Sequence, residues 1–122
     1  MSLFSLNKSS SLKNTSEIDA VFKNGKKISS KLISLYYIKS EKDGLMRIAF
    51  TVGKKTHNLA TTRNKLKRLM KESFRINAKE HISPDLAYNL VFVYFSSKQE
   101  SFKKVEESMK SLLLSFKSKT LS

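Results

Sequence analysis

The stretch "TTRNKLKRLMKESFR", residues 61–75, concentrates the side chains best suited to holding anions. Arg63, Asn64, Lys65, Lys67 and Arg68 open it, Lys71 and Arg75 follow, and the first acid is Glu72. At about 100° per residue, Leu66, Leu69, Met70, Ser73 and Phe74 share one helical face, while Asn64, Lys67, Arg68, Lys71 and Arg75 fan across the opposite side. Lys65 and Glu72 sit beside that fan. A helix N-terminus is already locally positive, so each misplaced cation costs roughly 0.3–1 kcal/mol. The cost is offset if the free N–H groups and the cations grip a phosphate together, since each neutralised phosphate releases counterions. The spacing points to a polyanion-binding helix start, with Lys54 and Lys55 just upstream.

Charge across the whole chain agrees. The 122 residues carry 24 Lys and Arg against 10 Asp and Glu, a net charge of +14. Coding bias toward lysine would scatter that charge. Instead residues 54–75 hold eight cations and one acid, half of the net charge. Nucleic acid is the first candidate for such a field.

No other group of residues suggests catalysis by the polypeptide. The chain has no cysteine, which excludes disulfides and thiolate metal sites and agrees with a reducing cytosol. His57 and His81 lack an i,i+4 partner, and a zinc site would need a sparse mixed donor set. Gly25, Gly44 and Gly53 have no phosphate-loop or dinucleotide spacing. Glu106 and Glu107 fit a solvated helix face better than a catalytic pair, and no serine lies in a nucleophile-elbow context. No apolar run approaches the ~18 residues of a membrane span. The start lacks the charged and apolar blocks of a signal peptide, so the expected location is the cytoplasm.

The elements that must position the basic helix read as follows. Residues 1–13 are a Ser-rich irregular arm. Residues 14–25 form a short helix capped by Asn14 with Glu17 and stopped at Gly25, with Ile18, Val21 and Phe22 on one face. "KLISLYYIK" (31–39) and "LMRIAFTV" (45–52) alternate as strands, and the "EKDG" turn (41–44) predicts that they pair as a hairpin. Thr61 or Thr62 is expected to cap the basic helix, which "ISPD" (82–85) ends. "YNLVFVYF" (88–95) is the most hydrophobic strand. Ser97 and Glu100 predict a capping box for a last helix, whose stripe is Phe102, Val105, Met109, Leu112, Leu113 and Phe116. The order is αββαβα, an α+β sandwich of one small sheet packed with helices. One domain spans 14–118, with a tail at 119–122.

"TVGKKTHNLATTRNKLKRLMKESFR" resembles the signature of the bacterial ribonuclease P protein subunit: a strand ending near a Lys-Lys pair, a short loop, Arg-Asn-Arg, a further Lys-Arg, then Phe-Arg. "LKNTSEIDAVFKNG" is similar to that family's opening. The resemblance runs from about Leu12 to Phe116. It implies an α/β sandwich with a left-handed βαβ crossover, as in the ribosomal protein S5 domain 2-like fold. It also implies that a large RNA with bound Mg²⁺ is the catalyst, removing the 5′ leader of precursor tRNA in an endonucleolytic, hydrolytic step. The protein subunit binds that RNA and holds the leader in a cleft between the first helix, the central helix and the sheet. By position, Lys54, Lys55, Arg63, Asn64, Lys65, Lys67, Arg68, Lys71 and Arg75 are the expected RNA-binding residues, and Ile18, Phe22 and Tyr36 line the leader cleft. Asn64, Lys67 and Lys71 could face the leader or a metal ion. Three positions depart from the family pattern. Lys65 stands where Arg is favoured, losing a planar two-point grip; Ile18 stands where an aromatic is common; Ser11 stands where Arg often precedes Leu-Lys.

The resemblance implies a ribonuclease P subunit, partnered by the catalytic RNA and the precursor tRNA leader, with no membrane and no protein partner implied. The alternative is a non-enzymatic RNA-binding protein such as a ribosome-associated factor. Roughly 5–6 neutralised phosphates predict a log–log salt slope of about −4. Arg63→Ala and Lys67→Ala are each expected to flatten it by under one unit, with the fold intact.

Overall fold

The structure, a computed structural model, describes residues 15–40, 46–82 and 87–121, with the side chain of residue 121 excepted. The expected arm (1–13), the Asn14 cap, the 41–44 turn and Ser83–Asp85 lie outside the described residues. Seven elements follow in chain order: α1 (Thr15–Asn24), β1 (Lys26–Ser29), β2 (Ile33–Lys39), β3 (Arg47–Val52), α2 (Ala60–His81), β4 (Tyr88–Tyr94) and α3 (Phe102–Leu121). The order is αβββαβα. It adds one strand to the expected order.

That strand, β1, pairs antiparallel with β2, placing Lys26 opposite Tyr37 and Ile28 opposite Leu35. Its sequence, "KKIS", is short and charged, as suits an edge that must not recruit further strands. Ser30 closes the hairpin, its N–H and Oγ both donating to the Ile33 carbonyl at 2.9 and 3.0 Å. Gly25 permits the turn from α1 into β1, because a Cβ there would collide with the carbonyl oxygens of Val21 and Tyr37.

The sheet order is β1-β2-β4-β3, which overturns the expected β2–β3 hairpin. β4 lies between them, antiparallel to β2 and parallel to β3. The reason is burial. Leu90, Val91, Phe92 and Tyr94 are all fully buried, so β4 needs neighbours on both edges and cover on both faces, the position of a continuous hydrophobic strand.

One face of the sheet meets α2 and α3. Leu35, Ile48, Leu90, Phe92 and Tyr94 pack there against Leu66, Met70 and Phe74 of α2 and Val105, Met109, Leu113 and Phe116 of α3. Both expected helical stripes are thus core. The other face carries Tyr36, Ile38, Ala49, Val91 and Val93, gathered under Ile18 and Val21 of α1.

Two caps differ from expectation. α2 starts one residue before Thr61, with Leu59 at the N-cap and no side-chain hydrogen bond there. Ser97 and Glu100 form no capping box. Instead Tyr94 Oη donates to the Lys98 carbonyl at 2.6 Å and accepts from the Glu100 N–H at 3.2 Å, bracing the turn into α3. Burial pushes the Tyr94 phenol pKa up. Ser101 then caps α3, accepting from the Lys104 N–H through Oγ. α3 itself continues to Leu121, through most of the expected 119–122 tail.

Candidate RNA interface

The basic helix leaves the sheet through the loop that follows β3. Gly53 O accepts from the N–H groups of Thr56 and His57 at 3.2 and 3.0 Å, which turns the chain sharply after Val52. His57 is buried in this loop, its Nε2 2.9 Å from the Ser96 carbonyl and its ring tilted against Tyr94. The loop is therefore pinned to the end of β4.

Arg63 completes the pinning. Its Nη1 donates to the carbonyls of His57 and Asn58, each at 2.9 Å. The guanidinium has five N–H donors in all, so this clamp leaves capacity for an anion. Its expected role was phosphate contact alone; the structure gives it a structural duty as well. The cap at Leu59 carries no polar side chain, so the first N–H groups of α2 lack one partner that caps usually provide.

Along α2 the polar side chains stand outward. Asn64, Lys65, Arg68 and Lys71 are exposed and Lys67 is half-buried, while Lys54 and Lys55 are exposed in the preceding loop. Among the described residues, none of these six cations joins an ion pair with a carboxylate. Arg75 differs. It is paired with Glu72 one turn back, and that hydrogen bond holds the Glu72 carboxyl below its usual pKa and raises the Arg75 guanidinium. Arg75 thus closes the fan with its charge already matched.

The three expected cleft residues meet on the sheet face under α1. Phe22 and Tyr36 stand edge to face with centroids 4.8 Å apart, and Ile18 packs against the same apolar cluster. Phe22 is 39% exposed although its ring meets Tyr36. Lys27 Nζ lies 5.4 Å from the centre of the Tyr36 ring, close enough for a cation–π contact. Sequence reasoning missed Lys27 because it missed β1. It also passed over Phe95, 45% exposed just beyond β4, which follows the alternation of Val91 and Val93. The signal for Phe95 was an aromatic at an odd position of a strand whose even positions fill the core. For metals the donor set is poor: among the described residues no three His, Asp or Glu side chains gather closely enough to hold an ion.

The family model described as Ribonuclease P matches residues 6–117. The ribonuclease P protein component of Clostridioides difficile is 37% identical over 108 residues, covering 88% of this chain and 91% of that protein. The one from Clostridium kluyveri is 35% identical, over 84% of this chain and 89% of its own length. Among solved structures, the RNase P protein of Thermotoga maritima superposes with a TM-score of 0.71 at 28% identity, covering 85% of this chain and 94% of that one. The Staphylococcus aureus protein gives 0.74 at 23% identity, over 87% and 94%, a likeness of fold. A four-stranded sheet with three helices, a basic central helix and a family match across nearly the whole length lead to one statement: this chain belongs to the ribonuclease P protein family.

Proposed function

We propose that α2 and its preceding loop neutralise RNA phosphates, while the cleft under α1 holds the precursor tRNA leader in register. As a ribonuclease P protein component, the chain is a subunit of the tRNA 5′-processing endoribonuclease and works with its RNA and precursor tRNA. The observation that carries the finer reading is the row of exposed and half-buried cations from Lys54 to Lys71, without carboxylate partners among the described residues. Loaded onto the positive end of a helix, they are stabilised when a sugar–phosphate strand docks there. Lys54, Lys55, Asn64, Lys65, Lys67, Arg68 and Lys71 meet phosphate or ribose, and Arg63 does so while holding the loop. Phe22 and Tyr36 offer ring surface to unpaired leader bases, with Ile18 contributing packing. Arg75 contributes least.

The family is Mg²⁺-dependent. In this reading the RNA holds most of the ions and carries the catalysis. No described helix is long and apolar enough to cross a membrane; the reading places the chain in the cytoplasm because its precursor tRNA substrate is there.

The test is reconstitution with a bacterial ribonuclease P RNA at low Mg²⁺. The chain should stimulate leader removal, with a log–log salt slope of about −4. RNA binding without stimulation would favour the alternative, a ribosome-associated RNA-binding role.

A further inference from the structure

Lys65, Lys67, Arg68 and Lys71 are aimed by a helix whose inner face is set in the core. Lys54 and Lys55 stand on a loop and need another hold. Two side chains fasten residues 54–59. Arg63 reaches back from α2 to the carbonyls of His57 and Asn58. His57 reaches the other way. Its imidazole is buried, with Nε2 2.9 Å from the Ser96 carbonyl oxygen and the ring centre 6.0 Å from that of Tyr94. A carbonyl oxygen only accepts, so Nε2 carries the hydrogen. Among the described residues, no other hydrogen bond joins 54–59 to the sheet or to the turn into α3.

The anchor point is itself fixed. The Phe95 N–H donates to the Leu32 carbonyl at 2.9 Å, and Ser96 Oγ accepts from the Lys98 N–H at 3.2 Å. Tyr94 Oη holds the backbone of Lys98 and Glu100. On the loop side, the N–H groups of Thr56 and His57 both donate to the Gly53 carbonyl, so Lys54 and Lys55 form the tip of a short closed turn. One buried imidazole thus ties that turn to a braced segment 39 residues further along the chain. Ordering a loop at the moment of association weakens binding, and a loop already ordered avoids that cost.

Resting on the reading of this loop as an RNA contact, we propose that His57 is a positioning residue for it: the imidazole holds Lys54 and Lys55 where the phosphate strand meets them. Buried as it is, His57 acts through the two lysines and does not touch RNA.

The experiment measures binding of the full chain to a bacterial ribonuclease P RNA over a range of salt, with thermal unfolding recorded for every variant. His57→Ala should bind about three- to tenfold more weakly, the scale of one net hydrogen bond. Its log–log salt line should run parallel to that of wild type, because no lysine or arginine has been removed. His57→Gln keeps an N–H donor at similar reach and should recover most of the loss; His57→Asn, one methylene shorter, should not. If the alanine variant fails to fold, the glutamine and asparagine variants carry the test. In a Lys54→Ala, Lys55→Ala background, His57→Ala should add no further weakening, since groups that act through one another are not additive. An additive loss would assign His57 to general stability and overturn the proposal. A flattened salt slope would overturn it too, by making His57 a phosphate contact, as would glutamine binding no better than alanine. If the double lysine variant binds RNA as wild type does, the reading of the loop as an RNA contact fails first. If that variant binds weakly and His57→Ala does not, only the positioning role fails.

Discussion

The two faces of the sheet are built from the same four strands and come to opposite ends. The face under α2 and α3 is closed: Phe74, Phe92, Tyr94 and Phe116 are fully buried, and Phe50, Phe74 and Phe92 pack in mutual ring contact. The face under α1 has one ten-residue helix to cover it, and leaves Phe22 exposed beside Tyr36. A closed face is complete without a partner. The second face keeps aromatic surface in reach of solvent, with Lys27 near the Tyr36 ring, and it is the face proposed above to meet the leader.

Predictions that test this contrast run from large to small. Phe92→Ala empties the closed face and should cost about 3–5 kcal/mol of stability, read by denaturant unfolding; a cost below 1 kcal/mol would mean that the two faces do not differ as described. Arg63→Ala removes two charge-assisted bonds to the loop, and about 1.5–3 kcal/mol is the usual scale for such bonds. It should lower both melting temperature and RNA affinity, whereas Lys67→Ala should lower affinity alone. If both variants melt like wild type, the clamp is not needed by the fold. Phe22→Ala should weaken leader binding by about 1–2 kcal/mol, the lower part of the range for one stacked base, and leave binding of the mature tRNA body unchanged. Equal losses for both RNAs would move Phe22 out of the leader path. Arg75→Ala is expected to do least. Its charge is shared with Glu72, so the salt slope should stay within experimental error of wild type; a drop matching that of Lys67→Ala would return it to the interface.

The Arg63 result alters an expectation. From sequence, its removal should flatten the salt slope and spare the fold. The bonds to His57 and Asn58 tie the guanidinium to the loop that starts α2, so stability and affinity are expected to change together at that one residue. A helical wheel shows direction around an axis. It does not show that a side chain at the first turn folds back onto the chain that precedes it.

Much of the fold was legible locally. The stripes of α2 and α3 follow a 3.6-residue period: Leu66, Met70, Ser73 and Phe74, then Val105, Met109, Leu112, Leu113 and Phe116, are buried as read, with Leu69 and Phe102 half-buried. The alternation of β2 was equally plain. β1 was not, because two lysines and a serine in four residues carry no apolar signal, and pairing with β2 is what makes it a strand. The capping residues also escaped: Thr61 and Thr62 have suitable side chains, but the His57 anchor starts the helix at Ala60, upstream of both.

By itself, the sequence determined where the charge sits, which helix faces are apolar, and which family the motifs resemble, because each depends on residue type and short spacing. Only the tertiary structure decided that β4 divides β2 from β3, that Arg63 clamps its own loop, and that Lys27 lies near the Tyr36 ring. Those outcomes depend on contacts between residues far apart in the chain. They follow from burying the most apolar strand at the centre, a choice that no local pattern contains.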